Sequence, residues 1–367
     1  MNKTEHTVDT VPITVSSLEQ TIDVDSSQLI ETPKSLSFKY VGCMALLFLP
    51  ALLLAQYPQW INIVAFTYLM GGVAVAWNII GGYGGQFSLG HGVFFSIGAY
   101  MTAALFINYG VSPWISIVPI ALIAGLVSVL ISWPTFRLRG PFFAIATLAF
   151  NEVMFVLANH FDSLTGGPRG LMIPFKAGFA NMIFTERSYY AYLMFGFAAF
   201  SVGVSVLVRY SRLGYYLLAV REDEDCARAC GINVLGVKLS GMAISAILTS
   251  MGGTLFTMYL RYIDPPTLFT MSDIGVKFAL LSLIGGIGTI AGPVLGAALI
   301  IPFENYLRTE LSNGLPGSNL AVLGFLMVLA ALFMKKGIYG LFQERFGKNK
   351  KPKKSTPMSV RPGGGAT

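Results

Sequence analysis

From Val41 to Phe136 the chain contains no Asp, Glu, Lys or Arg. A soluble surface is built largely from charged and polar side chains, and a typical soluble domain is about 25% charged. Here only 12% of the 367 residues are charged while 54% are hydrophobic, and the mean hydropathy is +0.64. The 40 glycines and 27 phenylalanines fit a chain whose solvent is lipid, where glycine is commoner than in soluble helices. These features exclude a soluble enzyme. Membrane crossings, rather than domains, are the useful count.

A helix needs about 20 apolar residues to cross roughly 30 Å of hydrocarbon. Runs of that kind occupy Tyr40–Tyr57, Trp60–Ile80, His91–Ile107, Pro113–Phe136, Pro141–Ala158, Tyr189–Val208, Leu239–Tyr259 and Asn319–Met334. The stretch 274–303 is long for one helix and short for two, and Gly285, Gly286, Gly288, Gly292 and Pro293 interrupt it. It reads as a broken hairpin, whose irregular backbone must be buried in protein or line a cavity. The expected fold is an all-α polytopic membrane protein with about eight full transmembrane helices plus that hairpin, about ten crossings. No convincing internal repeat is visible.

Charge sets the expected orientation. Residues 1–37 form a polar tail with six acids and two bases, and residues 335–367 a basic tail with nine bases and one acid. Basic loops stay in the cytoplasm, so Arg137 and Arg139, the segment 209–238 and the C-terminal tail should all be inside. Both termini are then cytoplasmic, and 159–188 is an outer, periplasmic segment. The domain from 38 to 334 holds the membrane spans. A basic tail beside a span reads as an anchor to anionic lipid rather than a nucleic-acid site. Cys43, Cys226 and Cys230 lack the second Cys or His pair that a zinc site needs, and read as reduced. The polar N-terminus lacks the pattern of a cleaved signal peptide.

Between two apolar runs stands Gly81-Gly-Tyr-Gly-Gly-Gln-Phe-Ser-Leu-Gly-His-Gly92, with six glycines in twelve residues. Each glycine costs a helix about 1 kcal/mol against alanine, so a break is expected over the whole run. Gln86, Ser88 and His91 could line a substrate pathway, as at broken helices of transporters. Alternatively Gly81 and Gly85 form a small-residue packing pair. Asn151 and Glu152 sit inside Pro141–Ala158, where nine Leu, Ile, Val and Phe residues supply roughly −3 to −5 kcal/mol of insertion energy and one carboxylate takes back about 3. Glu152 must then face protein or water, as a functional acid or a structural one. Ala144, Thr147, Asn151 and Ala158 share one face by helical spacing, which should face the bundle. Lys277 reads as a snorkelling lysine. Gly288, Gly292 and Gly296 repeat every four residues, as in tight helix packing. No GxxxxGK[ST] occurs, so no P-loop binds ATP in this chain.

The segment Arg221-Glu-Asp-Glu-Asp-Cys-Ala-Arg-Ala-Cys-Gly231 suits one short helix. Acids occupy its first turn, Arg228 its last, and Gly231 the left-handed cap position. Glu224 and Arg228 have i,i+4 spacing. With its small residues such a helix could seat in a partner's groove, or simply connect two spans.

Five blocks in order carry a family resemblance. They are Gly84-Gly-Gln-Phe-Ser-Leu-Gly-His-Gly92, Leu138-Arg-Gly-Pro-Phe-Phe-Ala-Ile-Ala-Thr-Leu-Ala-Phe150 and Leu164-Thr-Gly-Gly-Pro-Arg-Gly-Leu171. After them come Ala219-Val-Arg-Glu-Asp-Glu224 with Gly231-Ile-Asn233, and Gly285-Gly-Ile-Gly-Thr-Ile-Ala-Gly-Pro-Val-Leu-Gly-Ala297. Over roughly residues 60–335 the chain resembles the permease subunits of branched-chain amino-acid ABC importers, of the LivM type. The resemblance implies a bacterial inner-membrane importer of Leu, Ile or Val, with no enzymatic activity or cofactor of this chain's own. ATP would be bound by two cytoplasmic ATPase partners, with a second related permease and a periplasmic binding protein completing the assembly. Related subunits carry urea or short amides, and a stand-alone secondary transporter is the rival from another class. The implied substrate pathway takes Gln86, Ser88, His91, Asn151, Glu152, Thr165, Gly166 and Gly167. The implied ATPase-coupling residues are Arg221, Glu222, Glu224, Ala227, Arg228 and Gly231.

Overall fold

Proline opens three of the long helices, at Pro58, Pro113 and Pro141, where its missing N–H costs nothing and its fixed φ suits the first turn. The computed structural model describes residues 57–138, 140–269 and 274–311, with the single residues 324 and 337. All of them belong to one unit, Phe48–Thr367. The helices are α1 (Pro58–Asn78), α2 (His91–Tyr109), α3 (Pro113–Thr135), α4 (Pro141–His160), α5 (Asp162–Thr165) and α6 (Arg187–Tyr210). They continue with α7 (Arg212–Glu222), α8 (Glu224–Ala229), α9 (Val234–Leu260), α10 (Pro265–Phe269), α11 (Val276–Gly286) and α12 (Gly292–Leu311). The one sheet among the described residues is a two-residue antiparallel pair. It joins β1 (Leu171–Met172) to β2 (Tyr262–Ile263) and ties the 159–186 segment to the end of α9.

Six helical segments are long and apolar enough to cross a membrane: Gln59–Tyr83, His91–Tyr109, Pro113–Thr135, Pro141–His160, Arg187–Tyr210 and Val234–Leu260. They coincide with six of the expected runs, and the chain is mostly helical and polytopic. Apart from the single residues 57, 324 and 337, the runs at 40–57 and 319–334, and both tails, lie outside the described residues. The last of the six starts earlier than the apolar run Leu239–Tyr259 because Lys238 lies inside it, buried. The stretch 274–303 is a helix–break–helix whose second arm continues past Phe303 to Leu311.

The glycine-rich run departs from expectation. Helix α1 does not stop at Gly81. It continues through Ile79–Tyr83 as a π-helical turn, and the non-helical backbone covers only Gly84–Gly90. The turn survives because Gly81 and Gly82 leave room for side chains of the preceding turn: a Cβ on Gly81 would collide with the Trp77 ring, and one on Gly82 with the Asn78 amide. Gly81 thus packs within its own helix and forms no interhelical pair with Gly85.

Helix α1 packs against α6, α9, α11 and α12, and α9 against α2 and α3. The approach of α9 to α2 is close enough that a Cβ on Gly253 would strike the Phe95 carbonyl. Gly292 and Gly296 likewise bring α12 onto α11 at Gly285. Helix α4 is peripheral: Phe143, Thr147, Asn151 and Ala158 are buried, while Phe142, Ile145, Val153 and Val156 point outward.

The close approach makes a contrast testable. Overpacking a fitted interface costs roughly 1–3 kcal/mol, sometimes more. Gly253→Val should lower the unfolding midpoint of the detergent-solubilised protein by several degrees. Gly203→Val, on α6 with nothing within 4 Å of its Cβ, should leave it unchanged. Equal midpoints for the two variants would show that the α2–α9 contact is slack.

Candidate functional site

The polar segment between α6 and α9 is two helices, not one. Asp223 adopts an extended conformation (φ −158°, ψ 118°) that ends α7 and starts α8. Its carboxylate accepts the backbone N–H groups of Asp225 and Cys226, both at 2.8 Å, a side-chain cap of the kind helix N-termini favour. Gly231 closes the far end with φ 82°, and the Ile232 N–H bonds the Ala227 carbonyl at 3.1 Å. The left-handed cap therefore stands as expected.

Two details of that segment are corrected. Glu224 does not pair with Arg228. It takes the ammonium of Lys238, while Arg228 pairs with Asp225 at 3.1 Å. Lys238 is 1% exposed, and a buried ammonium requires an anion more urgently than a solvated guanidinium does. Ala227 is buried rather than presented outward; the exposed face is Asp225, Cys226, Arg228, Ala229 and Cys230, with Glu222 exposed on α7.

Arg221, at the end of α7, reaches into the membrane domain. Its Nη1 donates to the carbonyl of Gly82 at 2.9 Å, in the π-helical turn. Beside it, Asn78 bridges to the break between α11 and α12: its Nδ2 donates to the Thr289 carbonyl at 2.8 Å and its Oδ1 accepts from the Gly288 N–H at 2.8 Å. Gln86 lies here too, with Nε2 3.4 Å from Glu224. The segment outside the spans thus reaches the π-helical turn through Arg221, and Asn78 links the end of α1 to the 287–291 break.

The residues expected along a pathway do not converge. His91 is fully buried and satisfied, with Nδ1 2.9 Å from the Ser88 hydroxyl and Nε2 2.8 Å from the Ser245 hydroxyl. Ser88 is sealed beside it, its carbonyl accepting from Trp77 Nε1 at 2.8 Å. Asn151 donates to the Phe269 carbonyl at 2.9 Å, at the end of the short buried helix α10. Glu152 faces away from the bundle, because α4 turns its small and polar stripe inward. Thr165 ends α5, its hydroxyl bonding the Phe161 carbonyl at 2.8 Å, and Gly166 and Gly167 follow in the turn after it. Thr165 also lines an apolar cavity of about 280 Å³ between α2 and α4. Among the described residues no group of three or more His, Cys, Asp or Glu could hold a metal ion.

Comparison with known proteins assigns the family. A family description reading "Branched-chain amino acid transport system / permease component" matches residues 59–331. The chain belongs to this permease family. It is 28% identical over 304 residues to the LivM permease protein of Salmonella typhimurium, covering 76% of this chain and 69% of that one. The LivM protein of Escherichia coli is 29% identical over the same length. The Salmonella LivH protein is 25% identical over 295 residues, covering 75% of this chain and 91% of its own. No solved structure matches.

Sequence reading passed over the groups that join this permease's segments. Asn78 sat unremarked within an apolar run. Lys277 does not snorkel; it is 5% exposed and its Nζ lies 2.9 Å from Glu304, one residue beyond the boundary drawn at Phe303. An acid just past an apolar stretch, one or two helix lengths from a lysine inside one, was the available signal.

The exposed face of α8 carries its own reporter. Asp223, by its charge and its hydrogen bond, raises the Cys226 thiol above the ordinary cysteine range. The thiolate is the reactive form, so alkylation near neutral pH should be slower than for free cysteine and rise as pH is raised. Asp223→Asn keeps a capping side chain and should speed labelling of Cys226 several-fold at pH 7.5. An unchanged rate would remove Asp223 as the cause.

Proposed function

We propose that this chain is a membrane-spanning subunit of an ABC importer that carries branched-chain amino acids by alternating access. The family match supports the substrate class, and the contact of Arg221 with the Gly82 carbonyl carries the mechanism. In the orientation that keeps basic loops inside, α7 and α8 are cytoplasmic, 159–188 is periplasmic, and both termini are cytoplasmic. The turn between α11 and α12 then also lies toward the cytoplasm, beside Arg221. Partner ATPases would dock on the exposed face of α8. The Lys238–Glu224 pair fixes α8 to α9, so movement of the docked helix pulls on a span rather than on a loop. Arg221 carries the same displacement to the π-helical turn of α1 and, through Asn78, to the 287–291 break. Elements with few regular hydrogen bonds yield first, and both breaks qualify.

A second, related permease subunit fits the outward face of α4. Glu152 lies near the middle of that span among apolar side chains, and a carboxylate there requires protein or water rather than lipid. A periplasmic binding protein would deliver substrate to the outer loops, and energy would come from ATP on the partner subunits.

The test is reconstitution of the complete transporter in proteoliposomes, with ATP hydrolysis and leucine uptake measured together. Losing a hydrogen bond from a charged donor costs about 1.5–3 kcal/mol. Arg221→Ala should therefore keep the ATPases bound while lowering leucine carried per ATP by about tenfold. An unchanged ratio would make Arg221 a passive support. Absence of leucine uptake by the unmutated assembly, with urea carried instead, would replace the substrate class.

A further inference from the structure

A cavity of about 430 Å³ lies among α1, α9, α10, α11 and α12. It reaches from Asn62, Leu260 and Arg308, at the ends of α1, α9 and α12, to Met70 in the middle of α1. The Lys277–Glu304 pair forms its deep polar wall, and Arg308 stands at its exposed mouth. The bond from the Ser282 hydroxyl to the Ala74 carbonyl, 2.9 Å, fixes α11 alongside α1 and sets Lys277 at mid-span depth. Phe66 and Phe256, with ring centroids 6.3 Å apart, form part of an apolar wall. The volume is within the range of small-ligand sites.

The ion pair is incomplete as a structural element. Taking two charges out of water costs several kcal/mol per ion, recovered only when the remaining donors and acceptors are satisfied. Glu304 Oε1 takes Lys277 at 2.9 Å, but Oε2 is buried with no hydrogen-bond partner among the described residues. An open carboxylate oxygen and an ammonium sit side by side against an apolar wall, with a guanidinium further out. That set discriminates by charge. A simple cation meets Lys277 and Arg308, a simple anion meets Glu304, and a neutral amide can hydrogen-bond both but neutralises neither charge. A zwitterion with an ammonium and a carboxylate one carbon apart offers a partner to each.

We propose that this cavity binds an aliphatic α-amino acid, its ammonium on Glu304 Oε2, its carboxylate toward Lys277 and Arg308, and its side chain against Phe66 and Phe256. The inference rests on reading the chain as an amino-acid permease and adds the residues that hold the cargo within the span. It places substrate recognition between α1 and α12, away from the Gly84–Gly90 break.

The experiment uses the complete transporter in nanodiscs without binding protein, in a background freed of native cysteines, with Thr267→Cys as reporter. Thr267 is half-buried and lines the cavity. Leucine should slow alkylation of the reporter at least fivefold. Isovalerate, which lacks the ammonium, and isoamylamine, which lacks the carboxylate, should each leave the rate unchanged at the same concentration. Glu304→Gln should abolish the protection. Because that change opens a buried ion pair, Phe66→Trp provides the second variant: it narrows the cavity with both charges in place and should also abolish protection. Leucine uptake by the unmutated transporter without protection of the reporter overturns the site and leaves the transport reading standing. Equal protection by isovalerate or isoamylamine overturns the zwitterion assignment. Protection by another aliphatic zwitterion, in a transporter that does not carry leucine, supports the cavity and overturns only the branched-chain reading.

Discussion

The constraint on which this structure depends is that no backbone polar group at membrane depth can be left to water. Unbroken helices meet it on their own, but this chain breaks inside the span, and each break is closed by a named side chain. Asn151 on α4 and Ser96 on α2 donate to the carbonyls of Phe269 and Leu268, where α10 ends. Asn78 and Arg221 do the same for Thr289 and Gly82. Intramembrane polar residues that look like pathway groups in the sequence are therefore first of all the partners of displaced backbone. His91 follows the same logic with side chains, joining Ser88 to Ser245, whose own hydroxyl donates to the Ala76 carbonyl at 2.7 Å.

This assignment of roles explains what was legible. Hydropathy is additive along the chain, so six spans could be read with boundaries near those observed. The buried face of α4 followed from spacing alone, and the Gly231 cap from its position after a short acidic helix. The partners could not be read, because a hydrogen bond such as Asn78 to Thr289 joins residues 211 apart. The same limit misassigned Glu224, whose local partner Arg228 lost to a buried lysine on another helix. The extent of the glycine-rich break was overestimated because propensity counts each glycine as a cost. In the structure Gly81 and Gly82 are helical, and their missing side chains admit Trp77 and Asn78. Of the expected pathway, only Gln86 adjoins the coupling segment, and Glu152 points outward.

The two ends of the molecule use one device differently. Lys238–Glu224 and Lys277–Glu304 are both lysine–glutamate pairs with the lysine almost wholly buried. At the first, Glu224 also has Gln86 nearby and Lys238 lies 5.7 Å from the Phe136 ring, so both partners are embedded in further contacts. That pair joins a helix outside the spans to one within them, and truncating either member would strand a charge.

At the second, a carboxylate oxygen has been taken out of water without a hydrogen bond from any described residue in return. Folding alone gives no reason to keep such a group, since a hydrophobic pair of similar volume is often as stable or more so. Retention of an open buried acceptor beside a cavity has a simple account when a ligand supplies the missing donor. The strain is then present only in the empty state and is relieved on occupancy, which biases whichever conformation holds the cargo. A ligand shifts an equilibrium only by its differential affinity for the two states. An importer working by alternating access needs that difference, and a closed pair such as Lys238–Glu224 could not provide it.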